Sequence, residues 1–283
     1  MKPSISVITA VYNGSKYIRD CLKSVNSQTF PVEHIIIDGG STDNTLEVVR
    51  AHVPDAHIVS EHDNGVYDAM NKGIRFASGE IIGILNSDDF YTSPHVLEKV
   101  AKVFENPDVD VCYGDLLYVA ETDSTLPSRQ QATSFRTVRY WKSGQFTPDK
   151  FYRGWMPPHP TFFVRRRVYE QYGLFNIDLG TAADYEIMLR FLLKHRVTAV
   201  YIPEILVKMR TGGASNANLI SRITANRMDR KAWEVNGLKP FIWTLFQKPL
   251  RKLFQWITRP PGEQLSPGDI LAAGVPYRAV KEG

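Results

Sequence analysis

Two adjacent carboxylates, Asp88 and Asp89, close an apolar run that reads Ile81-Ile82-Gly83-Ile84-Leu85-Asn86-Ser87 before them. Neighbouring like charges repel unless a cation sits between them or one group stays protonated. Hard oxygen ligands of this kind suit Mg²⁺ or Mn²⁺, which then grip substrate phosphates. In open α/β sheets, ligands gather where strands end at their carboxyl edge. The pair therefore points to a metal–nucleotide site. The chain has no Walker A sequence and no G-x-G-x-x-G, so a diphosphate has no evident backbone cradle, which makes a cation more necessary.

The elements that must position these acids are legible as alternating periods. Residues 5–11 read as a buried strand, followed by a turn at Asn13-Gly14 and by Ile18, Cys21, Leu22 and Val25 at helical spacing. Residues 34–38 form a second strand, whose continuous Ile35-Ile36-Ile37 fits a strand covered on both faces. Gly39-Gly40-Ser41-Thr42-Asp43 turns into a helix near Asn44 with Ser41 to Asp43 as caps. A short strand at 58–60, a helix at 66–77 and a strand at 81–85 complete a β-α-β-α rhythm, which predicts a parallel sheet with helices on both faces.

Helical spacing resumes at 94–104, and 109–119 is rich in β-formers. Residues 122–131 are polar without period and read as a loop. The segment 140–160 carries Trp141, Phe146, Phe151, Tyr152 and Trp155 among glycines and prolines, which reads either as a binding surface or as a loop whose aromatics fill a side pocket. A helix follows at 183–195, a strand at 198–202 and another helix at 216–234. Arg165-Arg166-Arg167 reads as a solvated helix start rather than a phosphate clamp.

At 283 residues the chain has room for one large domain or one domain with an appendage. Hydrophobic residues at 43% and charged residues at 23% are ordinary for a globular protein. The net charge of +4 comes with no recognised DNA or RNA motif, so no nucleic-acid partner is expected. Cys21 and Cys112 lack metal-ligand spacing and imply a reduced, cytoplasmic setting. No apolar run is long enough to span a bilayer.

The tail differs in character. Pro240, Pro249 and Pro260-Pro261 cut it into short pieces, and Leu250, Leu253, Phe254 and Ile257 form a stripe at i, i+3, i+4, i+7 beside Arg251, Lys252 and Arg259. With Trp243 and Trp256, this fits either an interfacial helix on an anionic membrane through 240–259, on the inner face of the plasma membrane, or a helix docked on the domain.

Taken in order, Ser6-Val7-Ile8-Thr9-Ala10-Val11-Tyr12-Asn13, Asp38-Gly39-Gly40-Ser41-Thr42-Asp43, Asp63-Asn64-Gly65-Val66-Tyr67-Asp68-Ala69-Met70-Asn71-Lys72-Gly73 and Asn86-Ser87-Asp88-Asp89 resemble the family 2 inverting glycosyltransferases of the GT-A fold. The match is strong from Ser4 to about Tyr91. It continues more weakly through His159-Pro160-Thr161, Ala183-Asp184 and Arg210-Thr211-Gly212-Gly213, and ends near Glu234.

The resemblance implies a donor site for a nucleoside-diphosphate sugar in the N-terminal half, an acceptor over the C-terminal half, and in-line transfer with inversion. It implies Asp89 as the ligand of Mn²⁺ or Mg²⁺, with Asp88 beside it at the ribose or the metal. It implies Tyr12 against the base, and Asp38 is in reach of base or ribose. Many relatives carry a second acid where this chain has Gly39, which leaves the base open. Asp68, Asn71 and Lys72, one helical turn apart, either face the nucleotide or form an exposed pair. Asp184 resembles the acid that deprotonates the acceptor, although Ala183 stands where most relatives have another acid; an acid favoured by the helix dipole is the plainer reading. His159 resembles a position near the acceptor, and a structural histidine is the alternative. Arg210 is placed to close over the diphosphate.

The expectation is an α/β protein of GT-A fold with a Rossmann-like, mostly parallel sheet flanked by helices and a helical amphipathic tail. Its domain spans 1–236, with a nucleotide-sugar half at 1–115, an acceptor half at 116–236 and an extension at 237–283. The expected activity is metal-dependent inverting transfer to a hydroxyl of a saccharide or lipid-linked acceptor in cell-envelope polysaccharide synthesis. Two other readings stand beside it. One is a sugar nucleotidyltransferase, which Ala10 to Gly14 disfavours by lacking a lysine or arginine. The other is a non-catalytic nucleotide-sugar-binding protein.

Overall fold

A computed structural model describes residues 3–122, 135–211, 219–241 and 243–244, with the backbone alone over 219–226. The N-terminal elements follow the periodicity closely. Strand β1 (Ile5–Val11) is buried along its whole length. Helix α1 (Ile18–Asn26) turns Ile18, Cys21, Leu22 and Val25 inward. Then come β2 (Val32–Asp38), α2 (Thr45–His52), β3 (His57–Ser60), α3 (Val66–Phe76) and β4 (Ile81–Ile84). β1 pairs in parallel with β2 on one side and β4 on the other, and β2 pairs in parallel with β3. The chain thus leaves β1 in one direction and returns to its opposite flank at β4. That reversal is the crevice where α/β sheets bind ligands. Helix α3 lies close on this sheet, because a Cβ at Gly73 would meet Ile8 Cγ2 at 2.3 Å.

The second half is less regular than its sequence. Strand β5 (Phe90–Tyr91) and helix α4 (Val96–Val103) precede a long β6 (Val111–Glu121), β7 (Phe135–Trp141) and a short α5 (Pro148–Tyr152). Next come β8 (Phe163–Arg165), α6 (Arg166–Tyr172), α7 (Ala183–Met188), β9 (Ala199–Arg210) and α8 (Leu219–Val235). The sheet order is β3-β2-β1-β4-β8-β6-β9-β5, with β7 on β6. β8 runs antiparallel to β4 and β6, β7 to β6 and β5 to β9, whereas β6 and β9 are parallel. The expected mostly parallel sheet is therefore realised in the N-terminal half, and the whole is mixed.

Two sequence readings are corrected by packing. Phe151 and Trp155 of the aromatic segment are core rather than binding surface, 0% and 5% exposed, their rings meeting edge-to-face at 5.3 Å, while Trp141, Phe146 and Tyr152 are partly buried against them or their neighbours. Rings supply large apolar area, and the Trp155 indole N–H finds the Ser143 carbonyl at 2.8 Å. Arg165 is not solvated. It is buried, and its guanidinium donates to the carbonyls of Val109, Phe104 and Asn106 and pairs with Glu80. The strand expected at 198–202 continues to Arg210, and the 183–195 helix loosens after Met188 into a wider turn over Leu189–Lys194. The loop at 122–131, the Gly212-Gly213 segment and the stripe at 250–257 lie almost wholly outside the described residues.

Candidate active site at the carboxyl edge of the sheet

The acidic turn follows directly from β4. Leu85 N–H bonds to the Ile8 carbonyl at 3.0 Å, holding the strand against β1 to its end. Asp89 N–H closes the turn on the Asn86 carbonyl at 3.0 Å, and Asn86 Nδ2 donates to Asp89 Oδ2 at 2.8 Å. Asp89 is fully buried, and its Oδ1 meets no hydrogen-bond partner among the described residues. Burial first, and the neighbouring Asp88 second, hold the Asp89 carboxyl well above the usual carboxylate range. Burial also raises Asp88. A buried carboxylate with one oxygen unpartnered among the described residues, beside a second, half-buried one, fits a cation.

Arg210 does not reach over this turn from the open side. It is 6% exposed and its guanidinium is taken up by protein partners, against the expectation that it closes on a diphosphate. Its Nη1 donates to the Asp88 carbonyl at 2.9 Å, its Nε to Glu121 Oε1 at 3.1 Å, and Nη2 to Asp20. The guanidinium also lies 4.9 Å from the Tyr17 ring and 5.2 Å from those of Phe90 and Phe135.

Asp184 opens α7, and the Tyr185 N–H donates to its Oδ1 at 2.7 Å. Two phenols lie in its field. The Tyr67 hydroxyl is pushed far up, by burial first and then by the Asp184 carboxylate. The Tyr118 hydroxyl is raised by burial, opposed by Arg139, and raised further by both Asp89 and Asp184. Tyr118 thus lies within the electrostatic reach of both acids the sequence singles out.

On the other flank, Tyr12 projects from the end of β1, 63% exposed. Asp38, at the end of β2, is fully buried; its Oδ2 accepts from Gly40 N–H, Ser41 N–H and Ser60 Oγ (3.2, 3.0 and 2.7 Å), while Oδ1 meets no partner among the described residues. Gly39 lacks an acid of its own, but a Cβ there would meet Asp63 Oδ2 at 2.4 Å. A carboxylate therefore does stand beside position 39, carried by the loop after β3. Sequence spacing gives no hint of this, because the approach depends on β2 and β3 pairing side by side.

The helix α3 trio divides. Asp68 accepts from Asn64 N–H at 3.0 Å and faces Lys72 at 3.8 Å. Lys72 also pairs with Glu61 at 2.9 Å and donates to the His62 carbonyl at 2.8 Å. Asn71 departs from expectation: it is buried, donates to the Phe175 carbonyl and accepts from the Phe175 N–H, both at 2.9 Å, and so stitches α3 to the second half rather than facing a nucleotide. His159 packs edge-on against Phe175 at 5.5 Å, and burial lowers its pKa to about 4, so it is neutral near pH 7.

This fold, with acids at the switch point of a curled mixed sheet, is that of GT-A glycosyltransferases. The family model for Glycosyl transferase family 2 matches residues 6–173. The chain belongs to that family, and is a transferase of that class. It is 28% identical over 221 residues to a PGL/p-HBAD biosynthesis glycosyltransferase of Mycobacterium bovis, covering 76% of this chain and 80% of the relative. An uncharacterized glycosyltransferase of Mycobacterium tuberculosis is 30% identical over 200 residues, covering 68% and 70%. In fold, the chain is similar to S. aureus TarS 1-349 in complex with UDP-GlcNAc (TM-score 0.62, 19% identity, 86% of this chain and 69% of that one). It is also similar to the mannosyltransferase PcManGT from Pyrobaculum calidifontis in complex with GDP-Man and Mn²⁺ (TM-score 0.59, 19% identity, 97% and 80%).

Proposed function

We propose that the protein transfers one sugar, with inversion, from a nucleoside-diphosphate sugar to an acceptor hydroxyl, and that a divalent cation assists. The observation that carries this is the buried Asp89 carboxylate at the carboxyl edge of β4, one of whose oxygens meets no partner among the described residues. Mg²⁺ is commonly held by one or two carboxylates plus substrate phosphates, and this pair fits that pattern. Asp89 would hold the ion with Asp88 beside it; when bound, the ion would neutralise the leaving diphosphate.

The chain's own residues supply the rest. Asp184 takes the acceptor hydroxyl proton as that oxygen bonds to the anomeric carbon, and the bond from that carbon to the diphosphate oxygen breaks on the opposite face. Tyr12 offers a ring face to the base, and Asp38 and Asp63 offer carboxylate oxygens near it. Such acceptors suit the N–H groups of uracil, thymine or guanine alike, so the geometry favours none of them. GDP-Man and UDP-GlcNAc, the ligands of the two fold relatives, are natural first donors to try.

The acceptor we favour is a saccharide or lipid-linked saccharide of the cell envelope, reached from an anionic membrane surface through 240–259. No helix among the described residues is long and apolar enough to cross a membrane, so the association is peripheral in this reading. Deleting residues 240–283 should release the protein from anionic vesicles, and unchanged binding removes the membrane part alone. The core proposal is tested by thermal shift with UDP-GlcNAc and GDP-Man, each with Mn²⁺ or with EDTA. Mn²⁺-dependent stabilisation lost in Asp89→Ala supports it; stabilisation that persists with chelator and in the variant overturns it.

A further inference from the structure

Strand register places a second charged group on the face that carries Asp89. β5 pairs with β9 as Phe90↔Lys208, so one residue on, Asp89 stands opposite Met209. Met209 pairs with Tyr118 of β6, and Tyr118 with Arg139 of β7. Residues opposite one another on adjacent strands share a face. Asp89, Met209, Tyr118 and Arg139 therefore form one row, while the rows beside it (Phe90, Leu117, Tyr140) turn into a separate apolar cluster. Strand spacing puts Tyr118 roughly 10 Å from Asp89 along the row.

The Arg139 guanidinium does not point away. It lies 3.6 Å from the centre of the Tyr118 ring and 5.9 Å from that of Trp141, whose indole stacks parallel to Tyr118 at 6.4 Å. Tyr118, Trp141 and Met209 are only partly buried where they pack against the core, so this stack keeps some access to solvent. Among the described residues no carboxylate lies within ion-pair distance of Arg139, in contrast to Arg165, Arg190 and Arg210, which each have one. A partly desolvated guanidinium over the Tyr118 ring, with the Tyr118 hydroxyl as a neutral partner and no counter-ion among the described residues, is suited to an oxyanion brought by a ligand. Strand register thus carries this cation on the face of Asp89, in the row that leads from the acidic turn, where a diphosphate held by that turn would extend.

We infer that Arg139, seated on Tyr118 and Trp141, reaches back along this row to bind the distal phosphate of the donor's leaving diphosphate and is a catalytic residue on the face of the acidic turn. The inference rests on the glycosyl-transfer reading above. It adds a fixed cation that a nucleoside monophosphate, which lacks the distal phosphate, cannot use.

The test is calorimetric titration in Mn²⁺ of UDP, UMP, GDP and GMP against wild type, Arg139→Gln and Arg139→Lys. Thermal denaturation serves as the folding control. Arg139→Gln should weaken the preferred diphosphate about 10- to 100-fold, leave its monophosphate within about 2-fold, and thereby collapse the preference for diphosphate; Arg139→Lys should restore part of it. An unchanged diphosphate-to-monophosphate ratio in a folded Arg139→Gln overturns the inference and leaves the transferase reading intact. If wild type binds none of the four nucleotides, the transferase reading itself fails. Should Arg139→Gln not fold, Tyr118→Phe and Trp141→Phe, which keep rings under the guanidinium, must retain the ratio, and loss of it in both overturns the platform.

Discussion

Arg210 Nη1 donates to the main-chain carbonyl of Asp88 at 2.9 Å, so the last residue of β9 holds the backbone of the acidic turn rather than its ligand. The same guanidinium also takes Asp20 from α1 and Glu121 from β6. Three segments distant in sequence converge on one side chain. Removing it leaves a carbonyl and two partly exposed carboxylates without their cation. Arg210→Ala should cost about 2 to 4 kcal/mol in chemical denaturation. Arg210→Lys should recover little of that, because one ammonium lacks the planar fork and the ring stacking. A loss below about 0.5 kcal/mol would mean that the turn holds itself.

Asn71 gives a second structural prediction. Both ends of its amide bond the backbone of Phe175, which in turn carries the rings of Tyr67 and His159. Asn71→Ala strands a buried N–H and a buried C=O, which should cost about 2 to 4 kcal/mol. Asn71→Asp should be worse above pH 5, since a carboxylate cannot donate to the Phe175 carbonyl. Urea denaturation of both variants decides it; a neutral Asn71→Ala would return this residue to the nucleotide side.

The pH dependence follows from Asp89. Its folded carboxyl is held well above the ordinary 3.8, by burial and by Asp88. The folded state thus keeps a proton that the unfolded chain has lost. The stability this proton lends is fully present below the unfolded value and is lost as pH rises through the folded one. A cation binds only the ionised form, so it competes with that proton. The rise in melting temperature produced by Mn²⁺ should therefore be larger at pH 8 than at pH 5.5. At a concentration 100 times its dissociation constant, the ion would add about 2.7 kcal/mol. Asp89→Asn should flatten this dependence; a Mn²⁺ shift of equal size at both pH values in wild type refutes the assignment.

What could be seen in the sequence depended on how local its cause was. The Ile81–Ile84 run and the Ile18, Cys21, Leu22, Val25 stripe announce themselves, because a period of two or of 3.6 is written into adjacent residues. Asp88 and Asp89 could be placed at a strand end for the same reason. The short β5 and β8 gave no pattern, being two and three residues long and defined only by their partners. Arg210 looked like a free cation, since nothing near it in sequence names Asp20 or Glu121 as its partners. Asp63 beside Gly39, and Arg139 in the row of Asp89, exist only once strands far apart in sequence have paired.

Asp184 is the residue whose role separates a transferase from a protein that merely holds its donor. It sits in the first turn of α7 and accepts a hydrogen bond from the Tyr185 N–H through Oδ1. It opens α7, whereas Asp89 belongs to the turn after β4, so replacing it should not disturb a donor bound at the acidic turn. Asp184→Asn keeps the shape and the hydrogen bond but cannot take the acceptor's proton. Transfer should fall about 10²- to 10⁴-fold, while the donor's dissociation constant stays within about 2-fold. A base acting in the chemical step lowers kcat and kcat/KM together, whereas an acid that only caps the helix would lower the melting temperature and spare kcat. Should Asp184→Asn transfer sugar at the wild-type rate, another group must accept the proton and the assignment to Asp184 fails.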